Sequence, residues 1–144
     1  MKICLIGQNL TNLILASVFE EKKLNVDIYS NKKFQNIKTD RTIALSRENF
    51  DYLKFVTKSS ITPWKSKEIK IFTESSQSKE IINFIKKNKE VFNLVSYSKL
   101  NEIFLKKMKK SKFVKLYHSD TSSSLILNKI KKYDLVINSE NKNF

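Results

Sequence analysis

The chain has 144 residues, of which 40% are hydrophobic and 29% charged, the composition of one globular domain with a real core. Its 28 basic side chains against 14 acidic ones give a formal net charge of +14. A single cysteine, Cys4, and a single histidine, His118, exclude a disulfide framework and a zinc finger, and a Ser-His-Asp or Cys-His catalytic group would rest on His118 alone. No apolar run approaches the ~18 residues of a membrane span. The longest, Leu13 to Phe19, is broken by Ser17, and Gln8 and Asn9 end the first apolar run too early for a signal-peptide core.

The make-up of the charge decides how to read it. Arg41 and Arg47 are the only arginines, so 28 less two, or 26, of the basic residues are lysine. Bidentate readout of phosphates and base edges favours arginine. Lysine, asparagine, isoleucine and phenylalanine share A/T-rich codons, and the chain has only one glycine. The excess therefore reads first as codon drift, and nucleic acid is the lesser expectation.

Residues 2–6 (KICLI) are a continuous apolar run ending at Gly7, the pattern of a buried parallel strand. Leu10 to Lys22 follows helical spacing, and 25–29 (NVDIY) reads as a second strand. Strand, tight turn, helix and strand within about 30 residues make a βαβ unit. A polar, lysine-rich loop over 31–40 leads to a short apolar patch, Arg41–Leu45. Ser46 is placed to cap a helix to about Val56, with Phe50, Leu53 and Val56 inward. Pro63 and Trp64 lie in a connection, with Trp64 expected as a packing anchor between two layers.

Glu68–Thr73 alternates as a strand. Ser75–Ser78 turns the chain, and Ile81–Ile85 reads as a hairpin's return strand or a short helix. Val91–Tyr97 is a further strand. Ser98 is the expected N-cap of a helix over Lys99–Lys110, with Leu100, Ile103, Phe104 and Met108 apolar and Glu102 one turn before Lys106. Phe113–Leu116 starts a strand, Leu125–Leu127 is a short apolar run, and Tyr133–Ile137 is the last strand. His118 reads as a surface or turn residue and Cys4 as core.

A helix that starts directly after a buried strand offers free N–H groups and positive dipole to an anion. Set on G-x-G-x-x-G, the turn Gly7-Gln8-Asn9-Leu10-Thr11-Asn12 keeps only the first glycine. Asn9 tolerates a left-handed backbone, whereas the bulk of Asn12 would hold the helix farther from the strand. On its own this is a weak motif, and the turn reads first as a plain strand-to-helix connection.

Further motifs extend the pattern: Asp40–Ser46 (DRTIALS), Trp64 before the strand Ile69-Lys70-Ile71, Leu94–Leu100 leading into the amphipathic helix, and Asp134–Asn141 at the end. That order resembles the FAD-dependent aromatic hydroxylases of ubiquinone biosynthesis, monooxygenases of the para-hydroxybenzoate-hydroxylase type. DRTIALS is the most specific match. The resemblance spans nearly the whole chain but only the first third to half of such an enzyme, so it implies a truncated or partial relative.

The implied fold class is α/β, a Rossmann-like FAD-binding βαβ with an inserted antiparallel hairpin. Residues 1–60 would form the FAD-binding βαβ and a loop-helix, 61–97 inserted strands of a substrate layer, and 98–144 the returning helix and strands. By the same resemblance Gly7, Asn9, Leu10 and Asn12 surround the FAD pyrophosphate, Ser30 takes the place of the ribose-binding carboxylate, and Arg41 lines the flavin. Glu140, in Ser139-Glu140-Asn141, keeps the acid of a closing motif. Asp27 lies three residues too early for the ribose role. No protein side chain is implied as a catalyst.

NAD(P)H would be the reductant, and a polyprenyl phenol the substrate that is hydroxylated. Other ubiquinone-pathway proteins are implied partners. The chain would be cytoplasmic, with peripheral contact to an anionic membrane face through lysines such as Lys106, Lys107, Lys109, Lys110 and Lys112. The same lysines also read as a solvated helix end. Two other functions stay open: a non-catalytic relative that has lost FAD, and a basic nucleic-acid-binding module.

Overall fold

The computed structural model describes residues 1–31, 33–74, 79–85, 89–118 and 130–139. They form two compact units, one from residues 1–38 and 98–144, the other from 39–97. The segment 39–60 thus belongs with the central strands.

The first unit is built on a four-stranded parallel sheet. Strands β1 (Lys2–Ile6), β2 (Asn25–Ser30), β8 (Val114–His118) and β9 (Leu135–Asn138) lie in the order β8-β2-β1-β9. In register Ile3 faces Val26 and Leu135, and Ser30 faces His118. Both faces of β1 are covered, because the neighbouring residues Ile3, Cys4, Leu5 and Ile6 are all buried. That is why the strand reads as an unbroken apolar run. Helix α1 (Leu10–Glu21) packs on β1 and β2.

Helix α3 (Tyr97–Lys110) buries Leu100, Phe104, Leu105 and Met108. Lys107 of α3 reaches Glu20 and Glu21 of α1 at 3.6 and 3.5 Å, while Lys106 pairs with Glu102 at 2.6 Å. The helix starts ahead of the expected cap, so Ser98 lies inside its first turn. Strand β7 (Phe92–Ser96) runs straight into the helix, and the first N–H, from Tyr97, is satisfied by the Arg41 carbonyl at 3.0 Å.

The second face of the parallel sheet carries a polar cluster. Asp27, 3% exposed, receives a hydrogen bond from the Tyr133 hydroxyl at 2.5 Å and an ion pair from Lys2 at 3.1 Å. The Tyr29 and Tyr133 hydroxyls lie 2.9 Å apart, and the Tyr29 ring stacks on Tyr117 at 4.9 Å. Cys4, Ile6 and Tyr29 pack there against Ile130, Tyr133 and Val136.

The second unit holds β3 (Thr42–Leu45), α2 (Arg47–Thr57), β4 (Trp64–Ser66), β5 (Glu68–Phe72), β6 (Glu80–Ile85) and β7 (Phe92–Ser96). Three strands form an antiparallel sheet in the order β3-β7-β4, and β5 pairs with β6 as a separate antiparallel ribbon. Ser46 caps α2, its Oγ accepting the Asn49 N–H at 3.2 Å, and Phe50, Leu53 and Val56 are buried. Residues 81–85, open between strand and helix in sequence, are strand. Trp64 is not a packing anchor: it sits on the edge strand β4 and is 68% exposed. The expected turn at 75–78 and the apolar run 125–127 lie outside the described residues.

Candidate functional site

Strand order reverses around β1: β2 lies on one side, β9 on the other. In open α/β sheets the crevice beyond the carboxyl ends of the strands at such a point is where ligands sit. Here the β1–α1 turn occupies that place. Gly7 has φ 112°, a conformation that a side chain with Cβ strongly disfavours. Its N–H donates to the Tyr29 carbonyl at 2.8 Å, which ties the turn to the end of β2.

Asn9 is extended and caps α1, its Oδ1 accepting the Asn12 N–H at 3.0 Å. Its Nδ2 donates to Ser139 Oγ at 2.6 Å, just beyond β9. Asn12 is fully buried, and its Nδ2 donates to the carbonyls of Ile6 (2.8 Å) and Gly7 (2.9 Å). The amide therefore bridges α1 and the end of β1 instead of wedging them apart: its polarity does by hydrogen bonding what a glycine does by close approach. Asn12→Ala is expected to lower stability by about 1–2 kcal/mol, less than two full bonds because Oδ1 itself is unpartnered. A shift in the urea midpoint measures it.

What remains open to a ligand is backbone. The first intrahelical bond runs from Leu13 N–H to the Asn9 carbonyl, so the N–H groups of Leu10 and Thr11 precede the helical ladder. The Leu10 side chain is buried, and only its backbone can serve this end. No acidic residue lies in the first turn to compete for the positive dipole. Beside it opens a cleft of about 520 Å³ lined by Gln8, Lys33, Gln35, Asn36, Ile37 and Lys38. Gln8 Nε2 holds that loop through the Gln35 carbonyl at 2.7 Å. Two ammonium groups and a helix N-terminus suit a diphosphate.

Ser30 ends β2 and is buried. It is a hydroxyl where the resemblance implies a carboxylate. Arg41 belongs to the second unit, where its guanidinium lies over the Tyr97 ring at 5.5 Å. Glu140 lies outside the described residues, directly after Ser139. Lys33, Lys38 and Gln35 were not expected as site residues. The only sequence signal for them is that their loop follows β2 at the carboxyl edge of the sheet.

No family model and no curated protein matches the chain. Solved structures do. A probable FAD-dependent monooxygenase of Pseudomonas aeruginosa, PqsL, aligns with a TM-score of 0.60 and 9% identity over 82% of this chain and 32% of its own. A 2,6-dihydroxypyridine-3-hydroxylase of Arthrobacter nicotinovorans gives 0.57 and 15% over 83% and 28%. An aklavinone-11 hydroxylase, solved with FAD and aklavinone, gives 0.53 and 12% over 80% and 25%. The chain has the α/β fold of FAD-dependent monooxygenases over about four fifths of its length, and it spans about a third or less of theirs.

Proposed function

We propose that the chain is the dinucleotide-binding portion of a flavin-dependent monooxygenase whose substrate is a polyprenyl phenol. The observation that carries this reading is the left-handed glycine that turns β1 into an acid-free helix N-terminus beside a lysine-lined cleft, on a chain with that fold. The phosphate end of FAD fits these residues: the Leu10 and Thr11 N–H groups would donate to it, and Lys33 and Lys38 would neutralise it. The chemistry that FAD would supply there, with NAD(P)H as reductant and dioxygen as oxidant, is hydroxylation of an electron-rich ring, the second oxygen atom leaving as water. Asn9 and Asn12 hold the turn rigid, and Gln8 keeps the lysine loop closed over it. DRTIALS, the segment most like the ubiquinone-type hydroxylases, supports the phenol substrate.

A second reading is a relative that keeps the fold without flavin. Ser30 favours it, because a hydroxyl in place of a carboxylate forfeits a charge-assisted hydrogen bond of roughly 1.5–3 kcal/mol. Titrating FAD fluorescence with the full chain decides between them. Saturable quenching is expected, and Ser30→Glu is expected to tighten it about tenfold, the gain of one such bond. Absence of quenching by both proteins would establish the flavin-free relative.

A further inference from the structure

Twelve large hydrophobic side chains are exposed among the described residues, and six of them, Ile71, Phe72, Ile81, Ile82, Phe84 and Ile85, lie on the β5–β6 ribbon. In register Ile69 faces Phe84 and Ile71 faces Ile82. Directly opposed residues share a face, so one face of the ribbon is Ile69, Ile71, Ile82 and Phe84, without a charge. The other face carries Glu68, Lys70, Asn83 and Glu80, with Phe72 opposite Glu80 and Ile85 opposite Glu68. There Lys70 pairs with Glu68 at 3.1 Å and Glu80 at 3.8 Å, and Asn83 Nδ2 donates to Glu68 at 3.0 Å. One face of the ribbon is thus wholly apolar, while the charges, paired with one another, are gathered on the opposite face among Phe72 and Ile85.

Size and charge decide what covers the aliphatic face. Its four side chains expose roughly 300 Å², so two copies pressed together would bury about half of what a stable dimer needs. Two chains of +14 also repel each other. An anionic lipid surface has neither difficulty. It accepts a small apolar area into the headgroup boundary and attracts the lysines around it. Lys65 and Lys67 precede the ribbon, Lys79 lies at its far end and Lys89 follows it, all exposed. The strands are five and six residues long with open edges, so the ribbon lies in the interface and does not cross.

We propose that the β5–β6 ribbon docks the protein on an anionic membrane, aliphatic face down. This holds with or without flavin, and it brings the chain to the phase where a polyprenylated substrate resides.

The test is flotation of the full chain with vesicles of phosphatidylcholine, alone or with about a third phosphatidylglycerol. Binding to the anionic vesicles is expected, and Ile82→Asp with Phe84→Asp is expected to weaken it at least tenfold. Both positions are exposed, and an unchanged circular dichroism spectrum confirms the fold. A Phe84→Trp variant in a Trp64→Phe background is expected to be quenched by brominated acyl chains. Binding that survives the double aspartate variant would overturn the proposal, as would no binding to anionic vesicles. A dimer in sedimentation that the same variants dissolve would assign the face to a second copy instead.

Discussion

Gly7→Val is expected to lower the melting temperature by about 10 °C and to abolish FAD quenching. At φ 112° the residue sits in a region that a β-branched side chain enters only under strain. Strain of this kind costs up to about 3 kcal/mol, and for a chain of this size each kcal/mol moves the midpoint by roughly 3 °C. The turn cannot relax cheaply. The Gly7 N–H is tied to the Tyr29 carbonyl, and its own carbonyl accepts from the buried Asn12 amide. Relaxing φ would break both bonds. Gly7→Ala separates the two effects: its single methyl is expected to cost about half as much stability while still crowding the phosphate position. Thermal melts followed by circular dichroism give the first quantity and flavin titration of the folded variants the second. A Gly7→Val melt within 2 °C of the parent would show that the turn does not require glycine.

That turn was legible in sequence because its signals are local. An apolar run stops at Gly7 and helical spacing starts at Leu10, so β1 and α1 follow from periodicity alone. Ser46 before Arg47–Thr57 was legible for the same reason, since a cap acts within three residues. What stayed hidden depends on distant parts of the chain. Ser98 looks like a cap until Arg41, 56 residues before Tyr97, supplies the carbonyl that starts α3 at Tyr97. Trp64 looks like a core residue until the sheet order makes β4 an edge. Asn12 reads as a lost glycine, because its bonds to Ile6 and Gly7 require the helix to be docked already. Lys33 and Lys38 sit in a polar loop with no periodicity, and only the fold brings them beside Gln8. Asp27 reads as misplaced for a ribose, and nothing in its spacing points to Tyr133, 106 residues away.

The Asp27 cluster sets the second large effect, an alkaline loss of stability on the order of 2 kcal/mol between about pH 9 and pH 11. Burial pushes the Cys4 thiol up to about 11. Burial also raises the Tyr133 hydroxyl well above the ordinary tyrosine range, reinforced by its hydrogen bonds to Asp27 and Tyr29. Tyr29 is raised chiefly by burial, and Lys2 by its bond to Asp27. All four groups therefore hold their protons to higher pH in the folded chain than in the unfolded one. Where the unfolded state binds fewer protons, unfolding becomes easier as pH rises. Their stabilisation is complete below the unfolded values and is lost as pH climbs through the folded ones. Cys4 alone contributes on the order of 2 kcal/mol across that window, and the buried Tyr29 adds in the same sense. Urea unfolding at steps from pH 7 to pH 11 should give a flat limb and then a steady fall. Cys4→Ala should shallow that fall while lowering the neutral-pH plateau, because it exchanges a proton-linked cost for a small cavity. Stability that stays level or rises from pH 8 to pH 10.5 would mean that the sheet's second face is open to water, and that Tyr133 does not close it over Cys4 and Tyr29.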